Sequence, residues 1–287
     1  RNIGIWLPVY LRTTGGVTFG NTKITTSFPG EQDTSVAKIS LGLTLFNHTG
    51  SNDMGKLTVK ISPANFRGRT VQFSRNVAVG ANATNTVELS PENTRELTIS
   101  KPAVWWPNGY GKPNLYRISL SYTGQTGVSD DTTFLFGVRT VSSKSVEIDG
   151  NWRRDFYVNG RRVHLTGGAW VPDFMLNRDS LRYDYEMRLC RNANINLVRI
   201  WGGGVTPCDE FFDAADRYGL LVWSDFWITG DTQGEFKGSP DWPLESEVFK
   251  RNVESTILRI RNHPSLLVWT GGNEGHARRE LYDFMRN

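Results

Sequence analysis

The sequence predicts a multidomain β plus α/β fold, in which an antiparallel β domain is followed by parallel strand–helix repeats. Short β-branched runs recur between polar turns up to about residue 140, and strand and helix patterns alternate after it. With 287 residues, 38% apolar and 22% charged, the chain is long enough for two ordinary globular domains. We place residues 19–140 in the first domain and 141–287 in the second, with residues 1–18 ahead of both.

Seven predicted strands make up the first domain. They cover residues 36–46, 55–61, 70–79, 86–89, 96–99, 115–122 and 131–136. Such a series, with no helical period, is typical of an antiparallel β-sandwich of immunoglobulin type, although the usual inter-sheet cysteine pair is missing. Trp105 and Trp106 interrupt the series, and this aromatic pair suits a domain junction as well as it suits ligand contact.

Four strand–helix repeats are predicted in the second domain. The strands cover residues 163–166, 197–200, 220–223 and 266–269, and the first helix covers 180–192. Thr206, Pro207 and Asp209 supply an N-cap, a first-turn proline and an acidic capping partner for a helix that stops at Gly219. A third helix carries apolar residues from 249 to 260 on one face. Strands that alternate with helices pair in parallel.

Two architectures accept these repeats, the doubly wound sheet and the eight-stranded barrel. The glycines at 202–204 follow a strand, but Thr206 and Pro207 break the G-x-G-x-x-G spacing of a dinucleotide fold. We therefore favour the first half, about four units, of a TIM (β/α)8 barrel. In a barrel the carboxyl ends of the strands share one face. That face would gather Trp170, Arg199, Trp201, Asp225, Trp227, Asn273 and Glu274.

Residues of these types suit a sugar, because aromatic faces stack on its C–H surfaces and polar side chains bond its hydroxyls. The strand at 266–269 ends in Gly271-Gly272 and then Asn273-Glu274, which displays an amide and a carboxylate at its tip. A loop without a functional role, just past a core strand, would explain the position of Asn273 and Glu274 nearly as well.

Composition and patterning exclude several classes. No apolar run approaches the ~18 residues of a membrane helix, and the net charge of +4 is spread along the chain, so we expect neither membrane nor nucleic-acid binding. Cys190 and Cys208 lack CxxC spacing, and the four histidines are scattered. We therefore predict no metal and no cofactor.

Two sequons, at Asn47 and Asn82, fall in turn-rich segments of the first domain. They would carry glycans only if the chain passes through a eukaryotic secretory pathway. We accordingly expect the protein in the secretory pathway, in a vacuole or lysosome, or outside the cell.

Five motifs stand in order along the chain. They are Phe-Gly-Val-Arg at 136–139, Leu-Thr-Gly-Gly-Ala-Trp at 165–170, Val-Arg-Ile-Trp-Gly-Gly-Gly at 198–204, Leu-Val-Trp-Ser-Asp-Phe at 221–226, and Asn-His-Pro-Ser at 262–265 leading to Asn273-Glu274. Together they resemble glycoside hydrolase family 2, and within it the branch of β-mannosidases, plant endo-β-mannosidases and exo-β-glucosaminidases. Residues 4–11 also resemble the last strand of that family's N-terminal sugar-binding sandwich.

The resemblance implies roles for single residues. Glu274 matches the general acid/base, and Asn273 matches the amide that bonds the sugar 2-hydroxyl. Asn196 and Arg199 reproduce an N-x-x-R spacing whose arginine orients the nucleophile in related barrels. Trp201 and Asp225 match positions where mannosidases of this branch contact the glycone, and Trp227 follows in the same loop. Trp170 matches the tryptophan after the first strand and is the further candidate for substrate binding. Ala169 stands where many relatives have asparagine, and Asp173 is displaced relative to those relatives.

A retaining glycosidase needs two carboxyl groups about 5–5.5 Å apart. The family's nucleophile is a glutamate on the seventh strand, whereas four strands are predicted here. Residues 163–287 are about half of the ~250 of a complete barrel. We therefore expect the middle chain of a processed precursor, associated with an N-terminal chain and with a C-terminal chain that carries the nucleophile.

Three functions follow in order. The first is a retaining β-glycosidase acting on β-mannosidic linkages. The second is an exo-β-glucosaminidase or another β-glycosidase of the same family. The third is a non-catalytic carbohydrate-binding protein.

Overall fold

A computed structural model describes residues 9–171, 179–230, 243–274 and 277–286. Within these residues the chain forms a two-sheet β domain, a short antiparallel sheet, and a parallel sheet covered by helices. None of the helices in the described ranges has the length and apolar character needed to span a membrane.

Eight strands build the first domain. They are β1 (Val17–Ser27), β2 (Val36–Asn47), β3 (Asp53–Pro63), β4 (Val71–Val79), β5 (Thr84–Leu89), β6 (Thr98–Ser100), β7 (Tyr116–Gly124) and β8 (Gly127–Phe136). One sheet has the order β1-β2-β5, with β6 also paired to β2, and the other has the order β4-β3-β7-β8. Every pairing is antiparallel, so the predicted β-sandwich is confirmed.

Strict alternation of apolar side chains forms the sandwich core. Ile39, Leu41, Leu43 and Leu45 of β2 point inward, while the residues between them are half-buried. They join the buried apolar residues of β3 and β7 in one cluster. Each fully buried aliphatic side chain contributes about 1.5–3 kcal/mol. The two sheets are therefore held face to face by their inward rows.

Two parts of the first domain differ from the sequence prediction. The strand β1 was not predicted, because its threonines, asparagine and lysine leave it only half-buried and polar in sequence. The predicted boundary at residue 18 consequently falls inside β1. The predicted strand at 96–99 begins instead as a short 3-10 helix, Arg95–Leu97, before β6. Of the predicted strand at 4–11, residues 4–8 lie outside the described residues, and 9–11 are not in a strand.

A three-stranded antiparallel sheet follows the sandwich. Its strands are β9 (Val141–Ile148), β10 (Asn151–Val158) and β11 (Arg161–Val163), in the order β11-β10-β9. The predicted first barrel strand at 163–166 is therefore wrong. Val163 ends β11 opposite Phe156, and the first parallel strand starts at Gly167. Two glycines open that strand, so only its pairing with a neighbour reveals it.

The parallel sheet and its helices complete the fold. The strands are β12 (Gly167–Trp170), β13 (Leu197–Ile200), β14 (Leu221–Asp225) and β15 (Leu266–Thr270). The helices are α1 (Ser180–Asn192), α2 (Asp209–Tyr218), α3 (Ser246–Ile260) and α4 (Arg279–Arg286). The sheet order β12-β13-β14-β15 follows the chain, and every pairing is parallel. This confirms the predicted partial barrel.

Local capping explains the helix boundaries. The N-cap of α1 is Asp179, whose side chain accepts a hydrogen bond from the backbone N–H of Arg182 at 2.9 Å. The predicted N-cap of α2, Thr206, is wrong: the N-cap is Cys208, whose side chain makes no capping hydrogen bond. The acidic side chains of Asp209 and Glu210 in the first turn complement the helix dipole instead. Gly219 ends α2 in the left-handed conformation, at φ 73°, as predicted.

The tryptophan pair that interrupts the sandwich strands packs the junction between the domains. Trp105 is 0% exposed and shares a core with Phe156, Leu221 and Leu267. Its indole N–H donates to the carbonyl of Asp216 at 3.0 Å. Of the two roles that the sequence allowed for Trp105, the structure shows the junction.

Candidate active site

Three polar side chains meet at the carboxyl ends of neighbouring strands. Arg199 lies near the end of β13, Asp225 is the last residue of β14, and Asn273 follows β15 by three residues. Arg199 is paired in register with Trp223, and Asp225 with Thr270. Since side chains two residues apart share a face, these four point to the same side of the sheet. The structure therefore brings together the residues that the strand ends predicted.

Arg199 and Asp225 form a bidentate ion pair. The Nη2 atom of Arg199 lies 2.6 Å from Oδ2 of Asp225, and its Nε lies 3.2 Å from Oδ1. The backbone N–H of Gly202 and the hydroxyl of Thr270 also donate to this carboxylate. Two parallel N–H bonds fix both the distance and the plane of the guanidinium.

Burial differs sharply within that pair. The side chain of Asp225 is 0% exposed, whereas that of Arg199 is 33% exposed. A buried carboxylate needs such a full set of donors. The structure places Asp225 behind Arg199, and its predicted contact with a glycone stays a prediction. Asp225 holds Arg199, which keeps an accessible surface.

Asn273 is oriented by three hydrogen bonds. Its Oδ1 accepts from Nη2 of Arg199 at 2.9 Å, and its Nδ2 donates to the hydroxyl of Thr229 at 3.2 Å. Its backbone N–H donates to the carbonyl of Ile228 at 2.7 Å. The amide is thus fixed in plane and in direction at the edge of the exposed Arg199 surface.

Glu274 stands next to this amide and is exposed. Its Oε2 accepts a hydrogen bond from the backbone N–H of Gly230 at 3.2 Å. The turn that presents it requires a glycine, because a Cβ at Gly272 would lie 2.7 Å from the carbonyl oxygen of Ile228. A carboxylate with accessible surface beside an oriented amide is what a proton donor to a bound ligand needs.

The three predicted aromatic contacts have different surroundings. Trp201 directly follows β13, two residues after Arg199, and is half-buried. Trp227 donates its indole N–H to the hydroxyl of Thr206 at 3.1 Å and packs on Phe226 and Phe249, within the core beneath α3. It is half-buried there.

Trp170 lies on the other face of the sheet. Its ring packs 4.8 Å from Phe211 of α2, in a core that also contains Tyr183 of α1 and Ile200. Its indole N–H donates to Glu186 at 3.0 Å. Successive strand residues point to opposite faces, so Ala169 rather than Trp170 shares the face of Arg199. The structure thus places Trp170 in the core beneath the helices and not beside Arg199, and its predicted substrate contact stays a prediction. Asp173 lies outside the described residues.

Two supporting residues of the site were not predicted. Trp223 is the last residue of the predicted strand at 220–223, and Thr270 directly follows the predicted strand at 266–269. The structure joins the Trp223 indole N–H to the Thr270 hydroxyl at 2.7 Å, behind Asp225. The available signal was the polar threonine at the tip of the apolar run that begins at Leu266.

A second polar cluster lies at the opposite end of the sheet. The ligand atoms of Asp213, Asp216 and His263 lie within 4.8 Å of one another. Hydrogen bonds already occupy the central group: Asp216 Oδ2 pairs with Nδ1 of His263 at 2.7 Å, and its Oδ1 accepts from the N–H of Ser265 at 2.9 Å. The cluster precedes β15 and ties α2 to it, which is a structural role.

The two sequons differ in accessibility. Asn47 is 3% exposed, and its Nδ2 donates to the carbonyls of Ser51 and Val79 at 2.8 and 3.1 Å. A glycan replaces one of the two hydrogens on that nitrogen, so at least one of these bonds would be lost at a buried position, which opposes glycosylation of Asn47 in the folded chain. Asn82 lies exposed in a turn.

The fold and the site define a chain of the sandwich-and-barrel type, with its candidate site where TIM-barrel enzymes hold their active sites. Comparison with protein families gives the family. Residues 17–139 match the model of glycosyl hydrolases family 2, and residues 153–287 match the TIM barrel domain of the same family. The chain belongs to glycosyl hydrolase family 2.

The chain is similar in sequence to enzymes with three different named activities. A mannosylglycoprotein endo-β-mannosidase of Lilium longiflorum is 32% identical over 100% of this chain and 30% of its own length. An exo-β-D-glucosaminidase of Streptomyces avermitilis is 34% identical over 70% of this chain and 22% of its own length. A β-mannosidase B of Thermothelomyces thermophilus is 33% identical over 70% of this chain and 24% of its own length.

Solved structures agree in fold. The exo-chitosanase of Amycolatopsis orientalis superposes with a TM-score of 0.79 at 25% identity, covering 96% of this chain and 31% of that one. The β-D-mannosidase of Dictyoglomus thermophilum gives 0.78 at 23% identity, covering 95% and 33%. The chain thus spans about a third or less of each of these proteins.

Proposed function

We propose that this chain supplies the acid/base half of the active site of a retaining β-glycosidase that hydrolyses β-mannosidic linkages. The observation that carries the proposal is the fixed Arg199–Asn273 pair with the exposed carboxylate of Glu274 directly beside it. An amide locked at a strand tip gives a sugar hydroxyl a defined partner. The neighbouring carboxyl group is then positioned relative to the same sugar ring.

The chemistry assigned to Glu274 is a proton transfer. As the bond between the anomeric carbon and the leaving oxygen breaks, Glu274 donates its proton to that oxygen, while a second carboxylate attacks the anomeric carbon. In the second half-reaction Glu274 takes a proton from water, whose oxygen displaces the enzyme carboxylate. The β configuration is retained because each step inverts it once.

The second carboxylate is proposed to come from outside residues 1–287. Asp225 is unsuited to attack, because it is buried and held by Arg199, Gly202 and Thr270. Among the described residues, β12 and β15 each pair on one side only, which leaves both edges of the sheet for further strands. Strands that continue the barrel would bring a carboxylate across the mouth from Glu274.

The choice of a mannoside over a glucosaminide is supported by the relatives rather than by charge. The resemblance assigns Asn273 to the 2-position of the sugar, and its amide is bonded to the guanidinium of Arg199, whose charge is already paired with Asp225. Two of the three relatives named above are mannosidases. The exo-β-glucosaminidase function is the alternative, supported by the Streptomyces relative. Comparing nitrophenyl β-mannoside with nitrophenyl β-glucosaminide separates the two.

The decisive experiment replaces Glu274 by alanine in the enzyme that contains this chain. We expect turnover of β-mannobiose to fall about 10²- to 10⁴-fold, as for the loss of a general acid. The loss should be smaller for a nitrophenyl mannoside, whose leaving group needs no proton. Azide should restore turnover and give a β-mannosyl azide. Unchanged turnover of the disaccharide would remove Glu274 from the mechanism.

A non-catalytic carbohydrate-binding protein makes a different prediction in the same assay. The wild-type protein would then bind mannosides, measured by calorimetry, and release no sugar from any substrate. Hydrolysis by the wild type rules this function out.

Association with separate chains of one processed precursor, and passage through the secretory pathway, are further parts of the proposal. Intact mass and a denaturing gel of the native enzyme test the first. Additional, separate polypeptides support processing, whereas one longer polypeptide contradicts it. Sensitivity of the native protein to an N-glycan-cleaving enzyme tests the second.

A further inference from the structure

A chain of directed hydrogen bonds runs from the sheet to the ligand-facing amide. It begins at Nε1 of Trp223, which lies 2.7 Å from Oγ1 of Thr270. The hydroxyl of Thr270 donates to Oδ1 of Asp225, and the carboxylate of Asp225 accepts two hydrogen bonds from Arg199. Arg199 then bonds Oδ1 of Asn273 at 2.9 Å. Each link thus ends on the group that begins the next.

The direction of every link is fixed by the chemistry of its members. An indole N–H only donates, so the hydroxyl oxygen of Thr270 must accept from Trp223. The single hydroxyl proton of Thr270 is therefore free to point at Asp225, which as a carboxylate only accepts. A guanidinium only donates, so Arg199 requires the carbonyl oxygen of Asn273 to face it.

The last link determines what Asn273 presents to a ligand. With Oδ1 held by Arg199, the amide cannot flip, and its Nδ2 faces away from the guanidinium. One Nδ2 hydrogen has Thr229 as partner at 3.2 Å. The other is left for a ligand oxygen. Without the chain, rotation of the amide would exchange a donor for an acceptor at the sugar.

We infer that Thr270 is a positioning residue for Asn273, acting through Asp225 and Arg199, and that Trp223 sets the direction of its hydroxyl proton. This inference rests on the proposed function, because it assigns the amide to the 2-hydroxyl of the substrate. Hydrogen bonds to that hydroxyl strengthen in the transition state of glycoside hydrolysis. Loss of positioning should therefore lower kcat more than it raises KM.

The test uses Thr270→Val, which removes the hydroxyl at nearly constant volume, in the enzyme that contains this chain. With nitrophenyl β-mannoside we expect kcat to fall about 10- to 100-fold, as for a misplacement of about 1 Å at a reacting group. Thr270→Ser keeps the hydroxyl and should remain close to the wild type. With the 2-deoxy analogue, which lacks the oxygen that Asn273 binds, Thr270→Val and wild type should be equal.

Ser224→Ala is the matched control. Ser224 directly precedes Asp225, is 1% exposed, and its hydroxyl has no hydrogen-bond partner among the described residues. The substitution removes a buried hydroxyl from the end of β14, the strand that carries Asp225, and leaves every hydrogen bond of the chain in place. Its kinetics should match the wild type on both substrates.

Trp223→Phe provides a second, independent variant. It should lower kcat on the mannoside in the same direction, and the double variant with Thr270→Val should be no slower than Thr270→Val alone, because Trp223 acts through that hydroxyl. This variant keeps the inference testable if Thr270→Val fails to fold.

The possible outcomes distinguish a failure of the proposed function from a failure of the positioning role of Thr270. A wild type that cleaves no β-mannoside overturns the proposed function. A wild type that cleaves the mannoside while Thr270→Val does so equally well overturns the positioning role. Equal losses of Thr270→Val on the mannoside and on its 2-deoxy analogue overturn it too, since the defect would then be general.

Discussion

Nδ1 of His263 lies 2.7 Å from Oδ2 of Asp216, which joins the turn after α3 to the last turns of α2. Asp216 also accepts from the N–H of Ser265, and its carbonyl accepts from Trp105 of the sandwich. One buried residue, Asp216, thus connects a helix, the start of β15 and the neighbouring domain through its carboxylate and its backbone carbonyl. The cluster lies at the opposite end of the strands from Glu274.

The first prediction concerns pH. Burial lowers the pKa of His263, but the charge of Asp216, the hydrogen bond to it, and the charges of Asp213 and Asp209 raise it overall. A raised pKa in the folded state means that the folded chain holds the proton more tightly than the unfolded chain. The stability that this pair contributes is therefore fully present below the unfolded pKa of about 6.5 and is lost as pH rises through the folded pKa.

Chemical denaturation of wild type and His263→Gln at several pH values measures this. The difference in unfolding free energy should be largest below the unfolded pKa of about 6.5 and should shrink as pH rises through the raised folded pKa. Burial, followed by the charge of Asp216, raises the pKa of Asp213, and the charge of His263 opposes this. A difference that is flat over the range would show that His263 does not bind a proton on folding.

The second prediction concerns Arg139. Its Nε donates to the carbonyl of Pro264 at 2.8 Å, and its Nη2 donates to the carbonyl of Leu266. Desolvation lowers the pKa of Arg139 to about 10, against the opposing charge of Asp216, so it stays charged at neutral pH. Arg139→Met should cost about 2–5 kcal/mol, because two carbonyls lose charged donors.

Arg279→Met is the control for Arg139. Arg279 is 86% exposed and pairs with Asp283 within one helix, so its loss should change the unfolding free energy by less than about 0.5 kcal/mol. Equal effects of the two substitutions in thermal or chemical unfolding would show that the bonds from Arg139 to the carbonyls of Pro264 and Leu266 do not stabilise the fold.

The third prediction concerns Arg199. Lysine keeps the charge but cannot bond both oxygens of Asp225 and the amide of Asn273 together. Arg199→Lys should lower kcat/KM for the mannoside about 10- to 100-fold, since the amide loses its orientation. Arg217→Lys, at a partly exposed pair with Asp184, should leave the kinetics unchanged. Wild-type kinetics for Arg199→Lys would show that charge alone suffices.

The fourth prediction concerns the sequons. Asn47→Ala should lower the unfolding free energy by about 1–3 kcal/mol, because the Ser51 and Val79 carbonyls and the N–H of Thr49 lose their partner. Asn82 adopts a left-handed φ of 47°, which asparagine tolerates better than glutamine, so Asn82→Gln should lower the unfolding free energy by about 1 kcal/mol. In a host that glycosylates, mass spectrometry should place any glycan on Asn82. A glycan found on Asn47 of the folded protein would contradict the buried position.

Periodicity and local capping made much of the fold predictable. The helix at 180–192 and the strand at 197–200 have the predicted bounds, because an aspartate cap and a run of apolar residues act within a few positions of themselves. The order of strand ends also predicted that Arg199, Asp225 and Asn273 would meet. Both kinds of information are carried by neighbours in sequence.

What depends on partners distant in sequence could not be predicted. The strand β1 and the glycine-led β12 exist because β2 and β13 pair with them. Trp170 faces the helices because the pairing register places Ala169 beside Arg199. The burial of Asn47 and Asp225, and the bond from Thr270 to Asp225, likewise required the folded chain.

The sequence by itself thus determined the type of each strong element and which polar residues stand at strand ends. The tertiary structure decided which face each side chain occupies and which neighbour holds it. The reason is physical: a one-residue change of register moves a strand side chain to the other face, and register is set by hydrogen bonds between distant segments.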